Sequence, residues 1–158
     1  MDARGTLRLL AVLDTSVLVY AEGVQEVRRQ EQATDIVNAV PPSSILLPAQ
    51  VLGELFHVLV RKARRSVVEA RLAVQIWRDA YVVIGTTDAI LARAMDVAVD
   101  HGLTIWDAII LAAASEAGCR ILLSEDMQDG FTWGGVTIVN PFAASPHRLL
   151  SELRDGAR

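Results

Sequence analysis

Short runs of apolar residues alternate along this chain with longer stretches whose apolar positions recur every three or four residues. Leu7 to Leu13, apolar except for Arg8, predicts a short strand buried on both faces. Ile45 to Leu47, Val82 to Ile84, Arg120 to Leu123 and Val136 to Val139 predict further short strands. Helical spacing covers Thr15 to Ala21, and Glu26 to Val40 up to the stop at Pro41-Pro42. It returns from Pro48, suited to a first helical turn, to about Arg61, and again over Val67 to Ala80. Thr87 to Asp100 is closed by Gly102, and Ile105 to Ala117 ends at Gly118. Strands and helices alternating at this spacing predict an α/β domain with a mainly parallel sheet. No internal repeat or low-complexity segment is visible. After Asn140-Pro141-Phe142 the pattern dissolves into a polar tail, Ala143 to Arg158, with either a short amphipathic helix at His147 to Leu153 or disorder.

Composition narrows the picture. At 158 residues the expectation is one domain, residues 1–142, carrying the 143–158 tail. A hydrophobic content of 52% with 5% aromatic residues predicts an interior of Ala, Val, Leu and Ile. The net charge of −4 argues against a protein that coats nucleic acid, but not against one that cuts it with a bound cation. That charge is uneven: Arg61 to Arg78 holds six basic residues and one acid, so this window carries +5 and the remainder −9. A single cysteine, Cys119, rules out an internal disulfide and a cysteine-rich zinc site. Arg4 and Arg8 before the Leu9 to Tyr20 run imitate a signal peptide, but Asp14 interrupts its apolar segment. No charge-free apolar stretch reaches transmembrane length, so no membrane association and a cytoplasmic location are expected.

The candidate chemistry lies in four acids placed where apolar elements begin or end: Asp14, Glu54, Asp107 and Asp126. A carboxylate in such surroundings is costly unless something pairs with it. The only lysine is Lys62, and no arginine lies within five residues of Asp14, Glu54 or Asp107. Each acid also has an ordinary reading: Asp14 as a helix N-cap, Asp126 as a turn former, and Glu54 on a solvated stripe with Gln50, His57 and Arg61. Asp107 fits a capping box with Thr104, and the same helix terminus would keep it ionised for a cation. Together they are harder to dismiss. Two carboxylates roughly 5 Å apart repel by about 3 kcal/mol at an effective dielectric near 20. A divalent cation would offset that, and oxygen-only ligands select Mg²⁺ or Mn²⁺. Such a site suits phosphodiester hydrolysis.

In these residues the chain resembles the PIN-domain ribonucleases, and among them the VapC-type toxins of toxin–antitoxin pairs. VLDTSVLVYA is similar to the family's opening strand and first acid, and GELFHVL to its glutamate helix. LTIWDAIILAAASEAGC resembles the S-x-x-D-A helix, and ILLSEDMQDG with VTIVNPF the closing segment. The likeness runs from about Leu10 to Phe142, four motifs in order. It implies a three-layer α/β/α sandwich and a Mg²⁺- or Mn²⁺-dependent endoribonuclease. By resemblance Asp14, Glu54, Asp107 and Asp126 form the catalytic and metal-binding set. Ser16 and Ser124 match its hydroxyl positions, and Asp129 is an outer acid or a surface-turn residue. The resemblance further implies an RNA substrate (tRNA or rRNA), a cognate antitoxin and a homodimer. Departures are the residues before Leu7 and the 143–158 tail.

Arg61, Arg64 and Arg65 end the Glu54 helix, where they would hold RNA phosphates or simply compensate the helix dipole. His57 reads as a surface histidine, and Trp77, Trp106 and Trp133 as packing residues. Two other phosphoryl-transfer folds fit poorly: a receiver domain needs a late lysine, and a DxDxT phosphatase a second acid after Asp14. A catalytically silent PIN-like module acting by binding a partner, and a PIN nuclease of RNA processing without an antitoxin, are the remaining alternatives.

Overall fold

Two of the short, uniformly apolar runs become the two strands at the centre of the sheet. In β1 (Ala11–Leu13) and β4 (Ile121–Leu123) every side chain is fully buried, which is why neither shows an alternating pattern. They pair in parallel, Ala11 to Ile121 through Leu13 to Leu123. The computed structural model describes residues 5 and 8–156. Leu7, where the first strand was expected to start, lies outside them. The strand itself begins only at Ala11, because the partner registers begin there and the Leu10 carbonyl already accepts the Arg120 amide.

Outward from this pair lie β2 (Ile45–Pro48) and β3 (Val82–Ile84) on one side, and β6 (Val136–Val139) and β5 (Thr132–Trp133) on the other, in the order β3-β2-β1-β4-β6-β5. All pairs are parallel except β5 with β6. The β5 hairpin was not expected from the sequence. Its turn is Gly134-Gly135, both at positive φ, the conformation a two-residue hairpin requires. At Gly134 a Cβ would fall 2.5 Å from Ser115 Oγ, so glycine is also demanded by packing.

Helices cover both faces in a three-layer α/β/α sandwich. One layer holds α1 (Thr15–Ala21), α2 (Val27–Ala39), α3 (Ala49–Arg61) and α4 (Val67–Ala80). The other holds α5 (Asp88–His101) and α6 (Ile105–Glu116), with α6 lying across β2, β4 and β6. Ala108 to Ala114 are all buried, as a helix apolar nearly all round must be. Truncating a core leucine such as Leu122 costs about 2–5 kcal/mol. Pro48 ends β2 and precedes α3 instead of occupying its first turn.

The polar tail carries α7 (Arg148–Asp155), capped by His147 Nδ1 accepting the Leu149 amide at 3.1 Å. Leu149, Leu150 and Leu153 bury one face of it in the core. Among the described residues no helix is long and apolar enough to cross a membrane.

Candidate active site

The strand order turns around between β1 and β4, and in parallel sheets the crevice beyond the carboxyl ends at such a switch is where ligands bind. Asp14 follows β1 directly and Ser124 follows β4 directly, and the Asp14 amide donates to the Leu123 carbonyl at 2.9 Å. Asp14 is at once the N-cap of α1 and a buried acid. Its Oδ1 accepts the Thr15 amide at 2.8 Å and its Oδ2 the Ser124 hydroxyl at 2.6 Å. The fully buried Ser124 Oγ also accepts the amides of Asp126 and Met127, each at 3.2 Å. That shapes the turn after β4 and leaves Asp126 exposed at the crevice. Ser16 Oγ accepts the Glu125 amide at 3.3 Å from across the crevice.

Glu54 sits in the second turn of α3, half-buried, with a donor on each oxygen. The Thr15 hydroxyl donates to Oε2 at 2.5 Å and Gln50 Nε2 to Oε1 at 2.7 Å. Gln50 also donates to the Trp106 carbonyl at 3.1 Å, joining α3 to the start of α6 beside Asp107. Asp107 is half-buried in the first turn of α6, where the Thr104 hydroxyl accepts its amide at 3.2 Å.

These carboxylates share one electrostatic neighbourhood. Burial pushes the Asp14 carboxyl up to about 6; the Ser124 and Thr15 bonds pull it down, and the charges of Asp107 and Glu54 push it up again. Asp107 is likewise raised, first by burial, against the pull of Thr104 and with the push of Glu54 and Asp126. A buried acid that feels the charges of two others, with a third acting on Asp107, offers oxygen donors only and fits a hard divalent cation in kind. Among the described residues, however, no three His, Cys, Asp or Glu side chains are grouped tightly enough to hold an ion as they stand.

Beside the acids a groove of about 950 Å³ is lined by residues of α1 and α3 together with Trp106 and Asp126. His57 and Lys62 line it, and Arg61 and Arg64 are exposed at the α3 terminus. Arg65 is committed elsewhere. Its guanidinium donates to Glu22 Oε2 at 2.6 Å and to the Glu22 carbonyl at 2.7 Å, while Trp77 Nε1 donates to the same carboxylate at 2.7 Å. Asp129 takes the turn role, accepting the Asn140 amide at 2.8 Å. Trp77 is buried and Trp133 lies under the Arg93 guanidinium, as packing residues do. Trp106 does not pack: it is 62% exposed at the groove.

Sequence reasoning passed over Thr15, Tyr20 and Glu125, and read Gln50 only as part of a solvated stripe. Gln50 carried a signal, four residues before Glu54 on the same helical stripe. Glu125 accepts the Tyr20 hydroxyl at 3.2 Å and pairs with Arg29 at 3.1 Å, contacts 105 and 96 positions away that no local pattern reveals.

The sequence matches the PIN domain family over residues 11–128. It is 32% identical over 120 residues to ribonuclease VapC7 of Mycobacterium tuberculosis, covering 74% of this chain and 82% of that protein. The fold is similar to that of VapC20 from the same organism, a sarcin–ricin loop cleaving toxin (TM-score 0.60, 21% identity, 71% of this chain and 86% of the other). It is also similar to a chain of a toxin–antitoxin complex from Klebsiella pneumoniae (TM-score 0.64, 22% identity, 84% of this chain and 98% of the other). With an acid at the end of β1, a second beyond β4 and the family match across both, this chain belongs to the PIN-domain proteins of the VapC type.

Proposed function

We propose that the protein is a Mg²⁺- or Mn²⁺-dependent endoribonuclease and the toxin of a toxin–antitoxin pair. The observation that carries this reading is Asp14: a buried carboxyl at the strand-order switch, hydrogen-bonded on both oxygens and electrostatically coupled to Asp107 and Glu54. Asp14, Asp107 and Asp126 would hold the cation, with Glu54 completing the set. When bound, the cation would polarise the scissile phosphate and acidify water for attack. Glu54, fixed by Thr15 and Gln50, would orient the attacking water and take up its proton. Ser124 keeps the Asp14 carboxylate and the Asp126 turn in register. Arg61, Lys62 and Arg64 supply positive charge for RNA phosphates at the far end of α3. The 2′-hydroxyl takes no part, so the cut leaves a 5′-phosphate.

Ribonuclease VapC7 and the toxin–antitoxin complex support an RNA substrate and a cognate antitoxin. Exposed apolar stripes at intervals of four residues, Val68, Leu72 and Ile76 on α4 and Leu91, Met95 and Val99 on α5, support a homodimer. The test is cleavage of total RNA by the wild type and by Asp107→Asn, with both ends of the products mapped. Loss of cutting in the variant and 5′-phosphate ends are expected. Ends bearing 2′,3′-cyclic phosphate, or full activity in EDTA, would overturn the proposal.

A further inference from the structure

Trp106 is the largest apolar side chain at the groove, and the fold leaves it 62% exposed while burying Trp77 to 8%. Unlike the exposed aliphatic side chains of α4 and α5 it stands at the groove, and it is the one tryptophan of the three that the fold leaves exposed there. Its backbone is held firmly. It occupies the second position of α6, and its carbonyl accepts from Gln50, which also holds Glu54. Asp107 is its immediate neighbour in sequence. The indole face is therefore carried on a rigid helix start, one residue from a proposed catalytic acid and on the same groove as Glu54 and Asp126.

From Gln50 the groove follows α3 to Lys62, roughly 18 Å at 1.5 Å per helical residue. Arg61 and Arg64 are exposed beside that far end. An aromatic face, a group of acids and a basic end thus share one channel. Sites for single-stranded nucleic acid combine cationic grooves for the backbone with aromatic faces for the bases, and an exposed ring can only be stacked upon by a base already out of a duplex.

We propose that Trp106 is the stacking platform for a nucleobase of single-stranded RNA next to the phosphate presented to the carboxylates. This rests on the ribonuclease reading above and adds to it the group that grips a base. Purines stack on indole over a larger area than pyrimidines, so the platform favours adenine over uracil.

The test is fluorescence anisotropy of labelled hexaadenylate and hexauridylate with the full chain in EDTA, where cutting is suppressed, beside a total-RNA cleavage assay with Mn²⁺. Trp106→Ala is expected to weaken hexaadenylate binding about tenfold and to abolish the preference over hexauridylate, whereas Trp106→Phe stays within about threefold of wild type. Because the ring is exposed, both variants should melt as the wild type does. Unchanged affinity in Trp106→Ala, or an equal loss in Trp106→Phe, overturns the stacking role. So does unchanged RNA affinity together with weakened binding to the antitoxin, which would make the ring part of a protein interface. Wild-type protein that cuts RNA while Trp106→Ala binds normally sinks the platform alone. Wild-type protein that neither binds nor cuts RNA sinks the ribonuclease reading, and this inference with it.

Discussion

The starts of α4 and α6 carry the same local device and put it to different use. At α4 the Ser66 hydroxyl accepts the Glu69 amide at 3.2 Å and the Glu69 carboxylate accepts the Ser66 amide at 2.8 Å, a complete reciprocal cap. At α6 the Thr104 hydroxyl accepts the Asp107 amide, but among the described residues the returning bond from the acid is not made. Glu69 is fully exposed, and the Ser66 amide holds its carboxyl below the usual range. Asp107 is half-buried and raised. One acid has been absorbed by its helix, whereas the other, a methylene shorter and in the first turn of a helix that starts at the acidic crevice, meets only the Thr104 side chain and faces the charges of Glu54 and Asp126. A capping motif in sequence therefore says little about whether its acid is free. What lies across from the helix start decides that.

The sharpest way to break this contrast is to neutralise each acid in turn. Asp107→Asn should lower RNA cleavage by about a hundredfold or more, in the range of a lost acid–base or charge-stabilising group. Glu69→Gln should leave cleavage at the wild-type rate, and equal losses in both would show that the two caps do not differ in function.

Next in size is the effect of pH on the cation-free protein. The Asp14 carboxyl is raised from 3.8 to about 6 by burial, so its stabilising contribution is full below pH 3.8 and disappears as pH rises through 6. That amounts to about 3 kcal/mol at most. Thermal melts in EDTA should therefore show this contribution falling between pH 4 and 7, and Asp14→Asn should flatten that slope. Glu69→Gln has the opposite sign, since a lowered carboxyl stabilises above its unfolded pKa and loses that support in acid.

Slightly smaller is the response to metal. Mn²⁺ at a hundred times its Kd should stabilise the protein by about 2.7 kcal/mol, read as a higher Tm. Asp14→Asn or Asp107→Asn should abolish the gain and Glu69→Gln should not. The smallest effect concerns the caps themselves. Ser66→Ala and Thr104→Ala should each cost about 1 kcal/mol in denaturant unfolding, and only Thr104→Ala should also slow cleavage, because it loosens the backbone under Asp107.

Most helices and the inner strands were legible locally. Val67–Ala80, Val82–Ile84 and Val136–Val139 have in the structure the limits their periodicity predicts. The candidate acids were legible because a lone charge inside an apolar run is conspicuous. The β5 hairpin was not, since two residues give no period to read and only the glycine pair marks the turn. The donors on Glu54 were partly visible: Gln50 lies one helical turn away, but Thr15 comes from 39 positions upstream.

By itself the sequence determined the order of strands and helices, the apolar centre of the sheet and the acids that interrupt it, because all of these depend on neighbours within a few residues. Only the tertiary structure decided which charges are already paired and which are available. Arg61, Arg64 and Arg65 look alike in the chain, yet Arg65 closes on Glu22 from the opposite end of α1. Three tryptophans look equally suited to packing, yet Trp106 alone opens onto the groove. Availability depends on what the fold brings within hydrogen-bonding or van der Waals distance, and those partners come from segments far apart in the chain.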